Sequence, residues 1–361
     1  MASPKPATVA LESDARSNTA KQRFIRRFQK ILADVFSEAP NLRKSSVICG
    51  SLSGKDKWLG GPPLVDPSSG MNHRSASFRF VVAGLFVALA ASTLSAAVPR
   101  YRVGVCDWMI LKRQKLGAFQ LAKDIGADGV EVDMGGLGDR PTFDSKLGDP
   151  AVKAQFQDKT KELGLEICSI AMSGFYAQSF AERPGIDRVV QDTLDTAKAL
   201  GVRVIFLPLG VKGDLVKYPE LRPAIVARLK AAGQRAAAAG VVIGIETALD
   251  AAGEVALLDE IGSPSVKSYF NFANALQNQR DVSAELRTLG KERIIQIHAS
   301  NSDGVWLQND PQVDLPKIKQ TLDELGWSGW LVIERSRDAT RARDVKFNFS
   351  ANAAYLKKVF Q

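Results

Sequence analysis

Residues 98–361 predict a (β/α)8 barrel. Eight short, β-rich apolar runs recur along this stretch, and amphipathic segments of 10–20 residues with helical periodicity separate them. Several of those segments stop at a glycine just before the next run, which is how a helix ends when its last residue turns left-handed. The same alternation also permits an open doubly wound sheet. The nearly even spacing, and the lack of a Gly-x-Gly-x-x-Gly turn after the first run, favour the closed barrel.

In order, the expected strands are YRVGVC (101–106), DGVEVD (128–133), LEICSI (165–170) and VRVIFL (202–207), then VVIGIE (241–246), VKSYFN (266–271), RIIQIH (293–298) and WLVIE (330–334). Each is five or six residues rich in Val, Ile, Leu and aromatics, the composition of strands buried on both faces. Helical patterns between them include LGAFQLAKDIGA, DRVVQDTLDTAKALG, LRPAIVARLKAAGQRAAAAG and LPKIKQTLDELGW. Gly126, Gly164, Gly201, Gly240 and Gly326 are the expected helix stops.

The residues before the barrel read differently. From Met71, Arg74 and Arg79 precede an apolar core from Phe80 to Ala91, and STLSAA follows as an Ala-x-Ala-like cleavage site, placed after Ala97. Residues 71–97 are therefore expected to be a signal peptide and the mature chain exported, periplasmic or extracellular. An uncleaved N-terminal anchor is the alternative, though the apolar run is shorter than the ~20 residues of a span. Residues 1–70 are expected to be a disordered or partly helical extension, arising from a start upstream of Met71; GSLSGKDKWLGGPPLVDPSSG is Gly/Pro/Ser-rich. A native N-terminus at Val98 would support this, and one at Ala2 would refute it.

Charge excludes one class of partner. Of 48 Lys/Arg and 39 Asp/Glu, residues 1–97 hold 13 and 6, which leaves the barrel with 35 and 33. A nearly neutral barrel gives no footprint for a nucleic acid. Cys106 and Cys168 lie in apolar runs without metal or redox spacing; export permits a disulfide, and buried free thiols are equally compatible.

In a barrel of this kind the functional groups gather at the C-terminal ends of the strands. The first strand ends at Cys106-Asp107-Trp108, and the second carries Glu131 and Asp133. Glu246, Asn271, His298 and Glu334 end strands five to eight. The chain has two histidines, and His298 is the one inside the barrel region. Any one of these groups alone could be a cap or a buried structural side chain. Together, two Glu, one His and an amide oxygen make a cage for a divalent cation such as Mn²⁺, Mg²⁺, Co²⁺ or Zn²⁺.

GADGVEVDM, GVVIGIET, YFNFAN, IIQIHASN and, most specifically, DELGWSGWLVIERS occur in an order and spacing that resembles the sugar phosphate isomerase/epimerase family, the xylose isomerase-like TIM barrels. The resemblance covers residues 101–360. It implies a divalent metal, Mn or Mg foremost, held by Glu246, Asn271, His298 and Glu334. Two departures stand out: Asn271 replaces an aspartate, and HASN replaces the frequent His-x-Lys-Asp, so weaker metal binding is expected.

The implied reaction is isomerisation or epimerisation of a free ketose, keto-sugar or polyol. A proton is abstracted beside a carbonyl, an enediolate forms, and Glu246 and Glu334 act as the acid/base pair. Trp108, Glu131, Asn274, Asn301 and Trp306 are the candidate substrate-binding residues, with Phe175 a further ring able to stack on a sugar. The absence of a Gly-rich anion loop after strands seven and eight argues for an unphosphorylated substrate. A lyase acting on an inosose or keto-glycoside shares the first step, and a carbohydrate-binding barrel without catalysis is the reading from another class. The partner is a small-molecule sugar; a homo-oligomer is compatible, although no feature marks its interface.

Overall fold

A computed structural model describes residues 99–361, so the expected extension and signal peptide lie outside the described residues. Within it, eight parallel strands close into a barrel in sequence order: β1 (Tyr101–Cys106), β2 (Gly129–Asp133), β3 (Glu166–Ala171), β4 (Val204–Pro208), β5 (Val242–Glu246), β6 (Val266–Asn271), β7 (Ile294–His298) and β8 (Gly329–Ile333). β8 pairs with β1 from Tyr101↔Gly329 to Val105↔Ile333, which leaves no free edge. The expected strands agree within two residues at each end, and Glu334 falls one residue beyond β8.

The outer helices are α1 (Gly117–Ile125), α2 (Pro150–Leu163), α3 (Ile186–Leu200), α4 (Arg222–Ala239), α5 (Ala251–Ile261), α6 (Phe272–Gln277), α7 (Val282–Leu289), α8 (Leu315–Leu325) and α9 (Val345–Phe360). Five of them end on the glycines read from the sequence, each left-handed, with φ between 64° and 87°. Among the described residues no helix is long and apolar enough to cross a membrane.

Side-chain alternation divides the core. Val103, Val105, Ile205, Leu207, Ile243, Ile245, Leu331 and Ile333 point outward beneath the helices. Residues between them face the barrel axis, where Cys106, Cys168, Phe206, Tyr269, Trp330 and Val332 cluster. The register slips once between β2 and β3 and once between β6 and β7, with Cys168 and Ile295 as the extra residues. The slips set Glu131 opposite Ser169 and Tyr269 opposite Gln296. All four belong to the buried polar cluster described below.

The motif GWSGW has a packing role at the other end. Trp327 donates its indole N–H to the Ile294 carbonyl (3.0 Å), while Trp330 turns inward under the Arg102 guanidinium, 4.1 Å from the ring centre. Trp330 lies so close to β2 that a Cβ on Gly129 would come within 2.7 Å of both the ring and the Glu166 carbonyl. Gly129→Ala is accordingly expected to cost about 1–3 kcal/mol, read as a lower urea midpoint with an unchanged slope.

Candidate active site

The polar residues of the barrel interior form two layers. The lower one centres on Glu131, fully buried on β2. One carboxylate oxygen accepts from the Ser169 and Tyr269 hydroxyls, each at 2.5 Å. Gln296 donates to both of those hydroxyl oxygens (3.0 and 2.9 Å), which leaves their protons for Glu131. The other carboxylate oxygen faces His298 Nε2 at 3.1 Å. Glu131 therefore supports the histidine from below and is not at the surface a substrate would meet, a correction to its expected binding role.

His298, on β7, is held on both sides. Its Nδ1 lies 2.9 Å from Glu246 Oε2, and its ring is wedged between Phe206 and Tyr269, 4.7 and 4.5 Å centre to centre. A carboxylate on each ring nitrogen calls for a proton on each. Burial lowers its pKa, but the Glu131 charge and hydrogen bonds to Glu131 and Glu246 outweigh it and push it up to about 10. A raised folded pKa stabilises most below the unfolded value near 6.5, and that stability is lost as pH rises through about 10. The urea midpoint is expected to fall steadily from pH 7 to pH 10.

Cys106 closes this layer, its sulfur 3.6 Å from Glu131 Oε1 and 3.8 Å from His298 Nε2. The ligand atoms of Cys106, Glu131 and His298 lie within 4.8 Å of one another, a possible metal-holding group. Burial and the Glu131 charge push the thiol well above its usual range, so it stays protonated. Cys168 is also a free, buried thiol.

The upper layer holds Glu246, Asn271 and Glu334, 7%, 5% and 3% exposed. Asn271 Nδ2 donates to Glu246 Oε2 (2.9 Å) and to Glu334 Oε2 (3.3 Å). The Tyr176 hydroxyl, in a short 3-10 turn after β3, lies 3.3 and 3.2 Å from the remaining oxygens of the same two carboxylates. The Glu246–Glu334 pair is thus spanned twice. Burial would raise the Glu334 pKa, but Arg335 and His298, with the bonds from Tyr176 and Asn271, hold it below the usual carboxylate value. Arg335 Nε is 3.8 Å from Glu334 Oε1, and the Ser300 hydroxyl accepts from the backbone N–H groups of Glu334 and Arg335, fixing where they point.

The structure thus brings Glu246, Asn271, His298 and Glu334 together, but not as four ligands. Asn271, expected to offer its carbonyl oxygen, turns its amide nitrogen to the carboxylates, and His298 faces carboxylates from both nitrogens. Oriented this way, the set does not fit a divalent cation.

Other expected binding residues fall elsewhere. Asn301 is buried, its amide donating to Asp310 and Gln312 as a brace of its own loop. Trp306 donates to Asn348 (2.8 Å) and packs edge-on against Phe347, so it docks on α9. Asn274 donates to the Thr247 carbonyl and ties the loop after β5 to α6. Phe175 is core, packed against Phe143 and Phe180. Trp108, parallel to Phe206 at 6.5 Å, belongs to the axial cluster beside Tyr176. Sequence reasoning misses Tyr176, although it directly follows Phe175, and Arg335, which directly follows Glu334.

Comparison with known proteins places these residues in context. The family described as xylose isomerase-like TIM barrel matches residues 119–359. The 2-epi-5-epi-valiolone 7-phosphate 2-epimerase of Actinoplanes sp. is 27% identical over 197 residues, 54% of this chain and 71% of that protein. Among solved structures, D-psicose 3-epimerase from Clostridium cellulolyticum superposes with a TM-score of 0.59 at 14% identity, covering 72% of this chain and 99% of that one. The 3-keto-D-glucoside 4-epimerase from E. coli does so with a TM-score of 0.55 at 17% identity, covering 72% and 99%. At such identities the two structures are similar in fold.

Proposed function

The chain belongs to the xylose isomerase-like TIM barrel family, and we propose that it is a sugar isomerase or epimerase acting on a free ketose, keto-sugar or polyol. The observation that carries this reading is the Glu246–Glu334 pair, buried at the strand ends and joined through Tyr176 and Asn271. The curated relative is by name a 2-epimerase of 2-epi-5-epi-valiolone 7-phosphate, and the two solved structures are by name a D-psicose 3-epimerase and a 3-keto-D-glucoside 4-epimerase.

In this mechanism Glu334, held ionised by Arg335 and His298, takes the proton from the carbon beside the substrate carbonyl. The C–H electron pair moves into the new C=C bond, and the carbonyl oxygen becomes an enediolate oxygen. Tyr176 O–H and Asn271 N–H stand between the two carboxylates and are the donors placed to meet that charge. Glu246 returns a proton at the neighbouring or opposite position, drawing on the N–H of His298 Nδ1 at 2.9 Å. Tyr176, in reach of both carboxylates, is the path by which the proton on Glu334 returns through Glu246 to His298 Nδ1.

The test is a panel of free and phosphorylated ketoses, inososes and 3-keto-glycosides incubated in D₂O. The expected result is deuterium at the carbon beside the carbonyl, with an isomer or epimer as product. Loss of water or aglycone from the product would place the chain among the lyases, which share the first step. Sugar binding without exchange would make it a carbohydrate-binding barrel. We also propose that the chain is exported, from the pattern at Met71–Ala97.

A further inference from the structure

The family resemblance puts a divalent ion among the groups at the ends of strands five to eight, and the orientation of one amide stands against it. Asn271 Oδ1 accepts the Ala273 N–H at 2.8 Å, capping the start of α6. An aspartate at this position could cap with one oxygen and give the other to a cation. Asparagine has one oxygen only, so its other atom, the N–H2 group, faces Glu246 and Glu334.

Reversing the amide would set its N–H against the Ala273 N–H. It would also aim a carbonyl oxygen at two carboxylates. Each mismatch leaves a buried group without its partner. The other two carboxylate oxygens share the single proton of the Tyr176 hydroxyl, so the pair already has donors between its members without an ion.

We propose that this chain works without a resident divalent ion, the place between Glu246 and Glu334 being taken by the Asn271 amide nitrogen and the Tyr176 hydroxyl. The inference deepens the epimerase reading by naming what holds the carboxylate pair and meets the developing charge. It makes Asn271 the residue that decides whether a cation enters. With the His298 and Arg335 charges beside them, these donors let two buried carboxylates stay close without an ion between them.

The experiment is metal binding by the full chain, measured without substrate. After chelation and dialysis, wild type, Glu334→Gln, Asn271→Asp and Asn271→Asp/Glu334→Gln are titrated with Mn²⁺ and Co²⁺, following bound metal and melting temperature. Wild type is expected to bind neither ion and to melt unchanged. Asn271→Asp is expected to bind Mn²⁺ stoichiometrically and to melt about 5 °C higher at an ion concentration about a hundredfold above Kd. The double variant is expected to lose that gain. Stoichiometric binding by wild type that Glu334→Gln abolishes would overturn the proposal, as would a folded Asn271→Asp that binds nothing. If Asn271→Asp fails to fold, the wild-type titration alone decides. Because binding is read without turnover, a bound ion leaves the epimerase reading standing, and a failed substrate search leaves this test standing.

Discussion

Glu334→Gln is expected to lower kcat by about 10³-fold with little change in KM, and Glu246→Gln to do the same. The side chains keep their shape in both variants, so binding surfaces persist while the proton-accepting group disappears. Glu334 is ionised in the resting chain because the Arg335 and His298 charges and two hydrogen bonds overcome its burial. A glutamine there cannot remove a proton from carbon. It would also bring a second N–H2 group toward the Asn271 amide, so small adjustments of the upper layer are expected. The variants differ in one measurement. Deuterium exchange from D₂O should vanish in Glu334→Gln, where the first proton transfer is blocked. In Glu246→Gln slow exchange without product should persist, since the first transfer remains and the return fails. Equal exchange in both variants would reverse or erase this division of roles.

The barrel is legible in the sequence because its signals are local. Val, Ile and Leu crowd each strand, and a left-handed residue after a helix is nearly always written as glycine, as at Gly126, Gly164, Gly201, Gly240 and Gly326. Glu246, Asn271 and His298 are legible for a related reason: a polar residue that closes an apolar strand of a barrel lands on the face where the loops build a site. What escapes depends on register and long-range packing. Glu131 sits on β2 two residues before its end, and only the stagger of the barrel, with a slip at Cys168, places it beneath His298. Tyr176 is in a 3-10 turn, whose side chains follow no strand or helix period. Trp306 reads as a sugar-stacking ring because its partner Asn348 is 42 residues away on α9. The orientation of the Asn271 amide needs the cap on Ala273, a backbone contact no residue pattern announces.

The largest expected loss of stability follows from the same buried layer. Glu131→Leu leaves the Ser169 and Tyr269 hydroxyls and His298 Nε2 without their acceptor, all of them inside the barrel. Removing one partner of a buried charged pair costs about 3–5 kcal/mol, because the remaining charge is stranded away from water. That is a large share of the roughly 5–15 kcal/mol typical of a folded domain. Glu131→Gln should be much milder. Its oxygen still accepts from Ser169 and Tyr269, but its amide N–H2 now faces His298 Nε2. Two donors cannot share that contact, so His298 gives up the Nε2 proton, accepts from the glutamine and keeps Nδ1–H for Glu246. The histidine is then neutral in the folded as in the unfolded chain between pH 7 and 10. The fall in urea midpoint over that range, expected in wild type from the raised His298 pKa, should flatten in Glu131→Gln. An unchanged slope in that variant would show that another group sets the pH dependence. A Glu131→Leu chain as stable as wild type would show that the lower layer carries no ionised pair.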